Sequence, residues 1–172
     1  MASENIMQCS KQLADKNLTI AFAESATAGW MSSEFSLMPD SGSVLLGGIV
    51  CYDASHKQDL FNISQEIIDT YTPESAEVTR LIAEGLGKYF KSDIAVGVTG
   101  LTTPGGSETE EKPVGTMFIH ITLPEGKYCA HREVFNGSAE EIIGQTIERT
   151  GELLVKHTQN LEPRPKPENK KV

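Results

Sequence analysis

AFAESATAGW, residues 21–30, is the stretch on which the reading of the chain turns. An apolar run ends at Glu24, and Ser25 and Thr27 follow among residues no larger than threonine. A strand that hands over to a helix in this way has two ordinary outcomes. The serine hydroxyl caps the helix by accepting from its first N–H groups, or it is presented to a ligand beside those groups. On spacing alone the cap is the commoner outcome.

The flanking segments supply the fold. Residues 3–17 carry Ile6, Met7, Leu13 and Ala14 at helical spacing, which predicts a helix ahead of a short buried strand at Leu18–Phe22. Thr27–Leu37 fits a helix, broken by Met38-Pro39-Asp40-Ser41-Gly42. Val44–Tyr52 is apolar with two adjacent glycines, a central strand that something approaches closely. Ser55–Phe61 and Ser64–Tyr71 read as short helices. Glu74–Phe90 reads as a long one, with Val78, Leu81, Ile82, Leu86, Tyr89 and Phe90 on one side. Ile94–Thr99 has the continuous apolar character of a buried parallel strand. After the polar loop GLTTPGGSETEEKP, strands at Val114–Leu123 and Lys127–Phe135 flank a turn at Pro124-Glu125-Gly126. Ser138 caps a last helix that runs to about Lys156.

Strands alternate with helices early and a hairpin closes the sheet late. This predicts an α/β protein, a three-layer α/β/α sandwich whose mixed, mostly parallel sheet has one antiparallel member. Residues 1–158 form one domain, and the proline-rich, charged stretch 159–172 is expected to be a disordered tail. Ligands of such sheets lie at the carboxyl ends of the strands. Three segments converge there: Glu24–Gly29, Tyr52–Lys57 and Gly100–Lys112.

Composition excludes several classes. A net charge of −9 argues against a nucleic-acid surface. No apolar run is long enough to span a membrane. The first residues, MASENIMQCSKQLADKN, are amphipathic and carry acids, unlike a signal or transit peptide. Three cysteines, Cys9, Cys51 and Cys129, suggest reduced thiols in a cytoplasm. The four histidines, at 56, 120, 131 and 157, show no metal-ligand spacing, so no zinc site is expected.

A nucleophilic Ser25 needs a base and donors for an oxyanion. No G-x-S-x-G elbow surrounds it. Lys57 is a candidate base if burial lowers its pKa towards about 7–8, and a solvated helix lysine otherwise. Pro104-Gly105-Gly106 makes a turn with exposed N–H groups, a candidate anion nest. It lacks the G-K-[ST] sequel of a Walker loop.

Taken together, AESATAG, GGIVCYDASHK and TGLTTPGG…EKPVGTM, in that order, resemble the C-terminal domain of the CinA family, whose active members are nicotinamide-nucleotide amidases. The resemblance runs from about residue 6 to residue 157. It implies hydrolysis of the carboxamide of nicotinamide mononucleotide to nicotinate mononucleotide and ammonia, with no metal or organic cofactor. It also implies a small-molecule substrate, neither nucleic acid nor membrane as partner, and a homo-oligomer. Ser25 would be the nucleophile, Lys57 its base, and Tyr52 a hydrogen-bond partner within the dyad. Glu24, Thr27, Ala28 and Gly29 would surround the reacting group, and Gly47 and Gly48 would let the ligand approach the strand. Thr99, Gly100, Thr102, Thr103, Gly105, Gly106 and Lys112 would line the nucleotide site. The chain departs from the family pattern in places. Ala26 and Ala28 replace Cys and Gly, and Thr102-Thr103 replace Ala-Gly. Ala139 and Ile143 stand where an arginine pair is usual, which leaves Lys112 or Arg132 to meet a phosphate. An amidase for a different small amide, and a catalytically silent relative that binds a ligand or partner, are the alternatives.

Overall fold

The computed structural model describes residues 3–165. The layers follow from alternation along β1 (Ile20–Glu24), which is buried throughout. Ile20 and Phe22 enter one core, and Ala21 and Ala23 enter the other. β3 (Ile94–Gly100) repeats the pattern, with Ile94, Val96 and Val98 on the first side and Ala95 on the second. Side chains of period two sort in this way onto the two faces of a sheet. α1 (Glu4–Lys16), α2 (Trp30–Ser36) and α7 (Ala139–Thr158) fill the first side through residues such as Leu13, Phe35 and Leu154. The short α3 (Ser41–Val44) adds Val44 to the same core. α4 (Ala54–Phe61), α5 (Gln65–Tyr71) and α6 (Ala76–Phe90) cover the second side.

The sheet order is β2-β1-β3-β4-β5. β1 pairs in parallel with β2 (Leu45–Val50) and β3. β4 (Thr116–Thr122) pairs antiparallel with β3 and with β5 (Tyr128–Val134), so β4 alone runs against the rest. This is the expected three-layer sandwich with one antiparallel member. The chain leaves β1 to one side for β2 and crosses to its other side for β3. The carboxyl ends of β1 and β3 therefore flank the crevice where strand order reverses.

Several boundaries move from the sequence expectation. The helix expected at Thr27 starts at Trp30, because residues 25–29 are turns that end on Gly29 at φ 94°. Tyr89, expected on the inner side of α6, is mostly exposed, and the buried stripe is Val78, Thr79, Ile82, Ala83 and Leu86. What approaches the two β2 glycines is the protein itself. A Cβ on Gly48 would lie 2.1 Å from the Ser32 hydroxyl, and one on Gly47 would lie 3.2 Å from the Phe90 ring. The expected tail begins late: Lys16 donates to the carbonyls of Thr158 and Leu161, both at 2.8 Å. Arg164 then pairs with buried Asp93 at 2.6 Å. The remainder of the tail reading, from residue 166, lies outside the described residues. Among the described residues no helix is long and apolar enough to cross a membrane.

The second side of the sheet is paved with Ala21, Ala23, Ala95 and Gly97, which lets α6 sit close. A Cβ at Gly97 would lie 2.5 Å from the Thr79 carbonyl oxygen, in the backbone of α6. Gly97→Ala should therefore cost about 1–3 kcal/mol by overpacking. Urea unfolding checks this, and an unchanged midpoint would show that α6 can retreat freely.

Candidate active site

The site begins with Glu24, the last residue of β1. Its carboxylate is buried and accepts five hydrogen bonds: from Gly29 N at 3.0 Å, Met31 N at 3.0 Å, Ser32 N at 2.8 Å, Ser32 Oγ at 2.6 Å and Thr27 Oγ1 at 2.7 Å. The first N–H groups of a helix have no partner within it, and its N-terminus favours negative charge. Glu24 meets both needs for α2, whose N-cap is Gly29 and has no side-chain cap of its own. Glu24 is thus held by the helix and absent from the cavity lining, contrary to its expected place among the substrate contacts.

Ser25 is consequently not a cap. Its backbone N–H donates to Val98 O at 3.0 Å, and Cys51 N donates to Glu24 O at 2.8 Å, so Ser25 sits where the ends of β1, β2 and β3 meet. The residue is 5% exposed. It lines a cavity of about 250 Å³ with Ala26, Tyr52, Glu74 and the run from Gly100 to Gly106. Of the donors expected near the serine, Ala28 N is bound to Ser25 O and Gly29 N to Glu24. The N–H groups of Ala26 and Thr27 have no partner among the described residues. Ala28 holds φ 49°, a left-handed conformation that glycine adopts more easily.

Lys57 is fully buried in α4, whose start is capped by Asp53 accepting from Ser55 N at 2.8 Å. Among the described residues its ammonium has one hydrogen bond, a long one of 3.3 Å to the Tyr52 carbonyl. Burial pushes its pKa below 10.5, against the opposing pull of Cys51, Glu74 and Asp53. Tyr52 meets Lys57 through that carbonyl rather than through its phenol, and its side chain, 64% exposed, forms part of the cavity wall. Burial raises the neighbouring Cys51 thiol to about 11 although Lys57 opposes the shift. That sulfur stays protonated and is no rival nucleophile.

The loop after β3 is tied down rather than open. Lys112 donates to Thr72 Oγ1 at 2.6 Å, Ser107 Oγ at 2.7 Å and Glu74 O at 3.0 Å. An ammonium has three protons, so Lys112 is a strut and not a free partner for a phosphate. Burial lowers its pKa despite the attraction of Glu74 and Glu108. Arg132 lies on β5, donating to Glu111 O with its guanidinium 5.9 Å above the Phe118 ring. Ala139 opens α7 behind a Ser138–Glu141 capping box, and Ile143 packs against the core. Among the described residues Glu74 is the only charged one lining the cavity.

The structure therefore brings Ser25, Tyr52, Gly100, Thr102, Thr103, Gly105 and Gly106 to the cavity. It withholds others from the lining. Thr27 is bound to Glu24, and Thr99 is buried with its hydroxyl 2.7 Å from that of Thr79. Ala28, Gly29, Gly47, Gly48, Lys112 and the fully buried Lys57 are not among its lining residues. Sequence reasoning missed Glu74, whose sole local signal is its place just before the helix cap Ser75. No histidine is among the lining residues.

Glu24→Ala should destabilise the protein by at least about 3 kcal/mol, since it strips the cap from buried donors. Ser25→Ala should change stability by less than about 0.5 kcal/mol. Thermal and urea unfolding of the two variants check the contrast, and a large loss in Ser25→Ala would return the hydroxyl to a structural role.

The matrix of known proteins agrees with this architecture. The family model described as the CinA C-terminal domain matches residues 3–158. A CinA-like protein of Prochlorococcus marinus (strain MIT 9312) is 36% identical over 137 residues, covering 80% of this chain and 32% of that protein. A CinA-like protein of Pseudothermotoga lettingae is 40% identical over 111 residues, covering 64% of this chain and 27% of that protein. The chain spans about a third of the length of the curated relatives it matches. The crystal structure of competence damage-inducible protein A (ComA) from Klebsiella pneumoniae subsp. pneumoniae MGH 78578 superposes with a TM-score of 0.86 at 19% identity, covering 92% of this chain and 98% of that one. The chain belongs to the CinA family, through its C-terminal domain.

Proposed function

We propose that the protein is a serine amidase that hydrolyses a small carboxamide, with Ser25 as nucleophile and Lys57 as general base. The observation that carries the reading is Lys57: a fully buried amine whose one hydrogen bond among the described residues, a long one, goes to the carbonyl of Tyr52, which lines the cavity with Ser25. Burial disfavours the Lys57 ammonium and one long hydrogen bond offsets little of that, so its pKa is lowered in the direction a general base needs. Neutral Lys57 takes the Ser25 proton as Oγ attacks the amide carbon. The oxyanion of the tetrahedral intermediate is received by the N–H groups of Ala26 and Thr27. Collapse breaks the C–N bond, and the Lys57 ammonium returns its proton to the departing ammonia. Water, deprotonated by Lys57, then cleaves the acyl-enzyme to the carboxylate and restores Ser25. The Tyr52 carbonyl orients the amine during these transfers.

Nicotinamide mononucleotide is the substrate that family resemblance suggests, and its cationic pyridinium would suit a cavity whose one charged group is Glu74. The same lining supports a second reading, a carboxamide without phosphate, because no cation lines the cavity and the Lys112 protons are all engaged. Incubation with nicotinamide mononucleotide should release ammonia, and Ser25→Ala should lower the rate at least about a thousandfold. A folded wild-type protein that releases no ammonia from any small carboxamide would sink the amidase and leave a binding role.

Lys57 also makes a pH prediction. As a base it works neutral, so kcat/KM should fall as pH drops through its depressed pKa. The unfolded chain takes up the Lys57 proton near 10.5 and the folded chain only at lower pH. Stability should therefore rise with pH across the interval between those two values and be lost as pH falls through it. Lys57→Met should remove that slope. Urea titrations at stepped pH measure it, and an identical slope in the variant would mean Lys57 is not the depressed group.

A further inference from the structure

His120 is a buried polar side chain with no part in the Ser25 chemistry. It stands in the middle of β4, is only 4% exposed, and its ring nitrogens have no hydrogen-bond partner among the described residues. Such a group is costly to bury unpaired. The ladder sets Gly97 of β3 on one side of it and Ala130 of β5 on the other, which puts the ring on the second side of the sheet. α6 covers that side over β3 and β4, while Tyr128 and Ala130 of β5 are exposed. Between the helix and the uncovered strand runs a groove of about 470 Å³, lined by His120 together with Ala76, Arg80, Gly126, Tyr128 and Ala130. A smaller hollow of about 140 Å³ adjoins it and shares His120, Ala76 and Ala130. Neither has a lining residue in common with the Ser25 cavity.

The groove has the size and make-up of a small-molecule site, apolar walls with few polar groups, and its chemistry narrows the guest. The Tyr128 ring lies nearly parallel to the His120 ring, with centroids 5.4 Å apart and planes 12° apart, and Tyr128 is 66% exposed. An aromatic guest extends that stack. The charges on the walls are already engaged: Arg80 donates to Glu77 and, at 2.8 Å, to Glu84, and Lys127 donates to Glu125 at 2.8 Å. Burial lowers the His120 pKa against the pull of Glu84, so at neutral pH the imidazole is uncharged and offers one donor and one acceptor.

We propose that this groove is a second ligand site, taking a small, neutral, flat aromatic molecule whose one hydrogen-bonding group meets the His120 imidazole while its ring stacks on Tyr128. The site stands whether or not Ser25 is a nucleophile.

Indole is the probe, and N-methylindole, which keeps the rings and loses the N–H, is its control. Both are titrated into wild type, His120→Phe and Ala130→Trp, with the imidazole signals followed by NMR and affinity by calorimetry. Ala130 is exposed, so a tryptophan there fills the groove without entering the core. Indole should bind wild type saturably and move the His120 signals more than those of His56, His131 or His157. Ala130→Trp should weaken it about tenfold or more. His120→Phe should weaken indole about threefold to tenfold and leave N-methylindole unchanged, the pattern of one lost hydrogen bond. Should His120→Phe fail to fold, Ala130→Trp and the indole pair still decide the matter. No saturable shift at His120, or equal indole affinity in wild type and Ala130→Trp, overturns the site. Equal affinity of wild type for indole and N-methylindole overturns the role given to His120. Wild type that self-associates while Ala130→Trp sediments as a monomer makes the face an interface between copies and overturns the ligand site as well.

Discussion

The carboxylate of Glu24 on the N-terminus of α2 is the interaction around which the strand ends are organised. It closes the exposed donors of α2 and holds the Ser32 hydroxyl at 2.6 Å. That hydroxyl lies where a Cβ of Gly48 would be, so β2 requires glycine there as a consequence of the same contact. The Glu24 carbonyl receives Cys51 N, which fixes the point where β2 turns towards α4 and Lys57. One buried acid thus couples a helix start, a strand composition and the entry to the lysine helix. It also releases the next residue. Because Glu24 caps α2 from the end of the strand, Ser25 is spared that duty and lines the cavity.

Burial then divides the remaining polar groups by what they can do. Lys57 and Lys112 both lose basicity to burial, yet they differ in partners. Lys112 has an acceptor for each proton and fastens the loop to the segment before α6. Lys57 has one distant carbonyl among the described residues and unused hydrogen-bonding capacity. The first arrangement stabilises a charge, and the second favours its loss. The two lysines therefore differ both in depth, Lys57 being fully buried and Lys112 only partly, and in how many acceptors they meet.

The sheet and its layers were legible in the sequence because they rest on period-two alternation and on strand-helix order, which are local patterns. Ser25 and the Gly105-Gly106 turn were legible because they stand at strand ends. The cap of α2 was not, since Ser25 and Glu24 are both good partners for a helix start and only the path of the chain through Gly29 decides between them. The glycine pair of β2 announced a close approach without naming its source, which proved to be Ser32 and Phe90. Lys112 looked like a free cation because its three acceptors come from Thr72, Glu74 and Ser107, and two of those are distant in sequence. Tyr52 illustrates the same limit: it lines the cavity, while the group that meets Lys57 is its carbonyl and not its phenol.

The chain's own carboxylates occupy backbone donors at two helix starts and one turn. Glu24 sits on the N–H groups that open α2, Glu108 on the turn N–H of Gly105, and Glu141 on the Ser138 N–H at the start of α7. Each is a place where backbone donors would receive an external anion. At each the chain supplies its own carboxylate. The N–H groups of Ala26 and Thr27, beside Ser25, are left without such a partner among the described residues. Backbone affinity for negative charge is thereby met by the chain itself at those three places and left open beside Ser25. A permanently charged ligand gains little from such a surface. A neutral carbonyl that becomes an oxyanion only on attack gains the full benefit at the moment its charge appears, which is the condition for lowering a barrier rather than merely tightening binding.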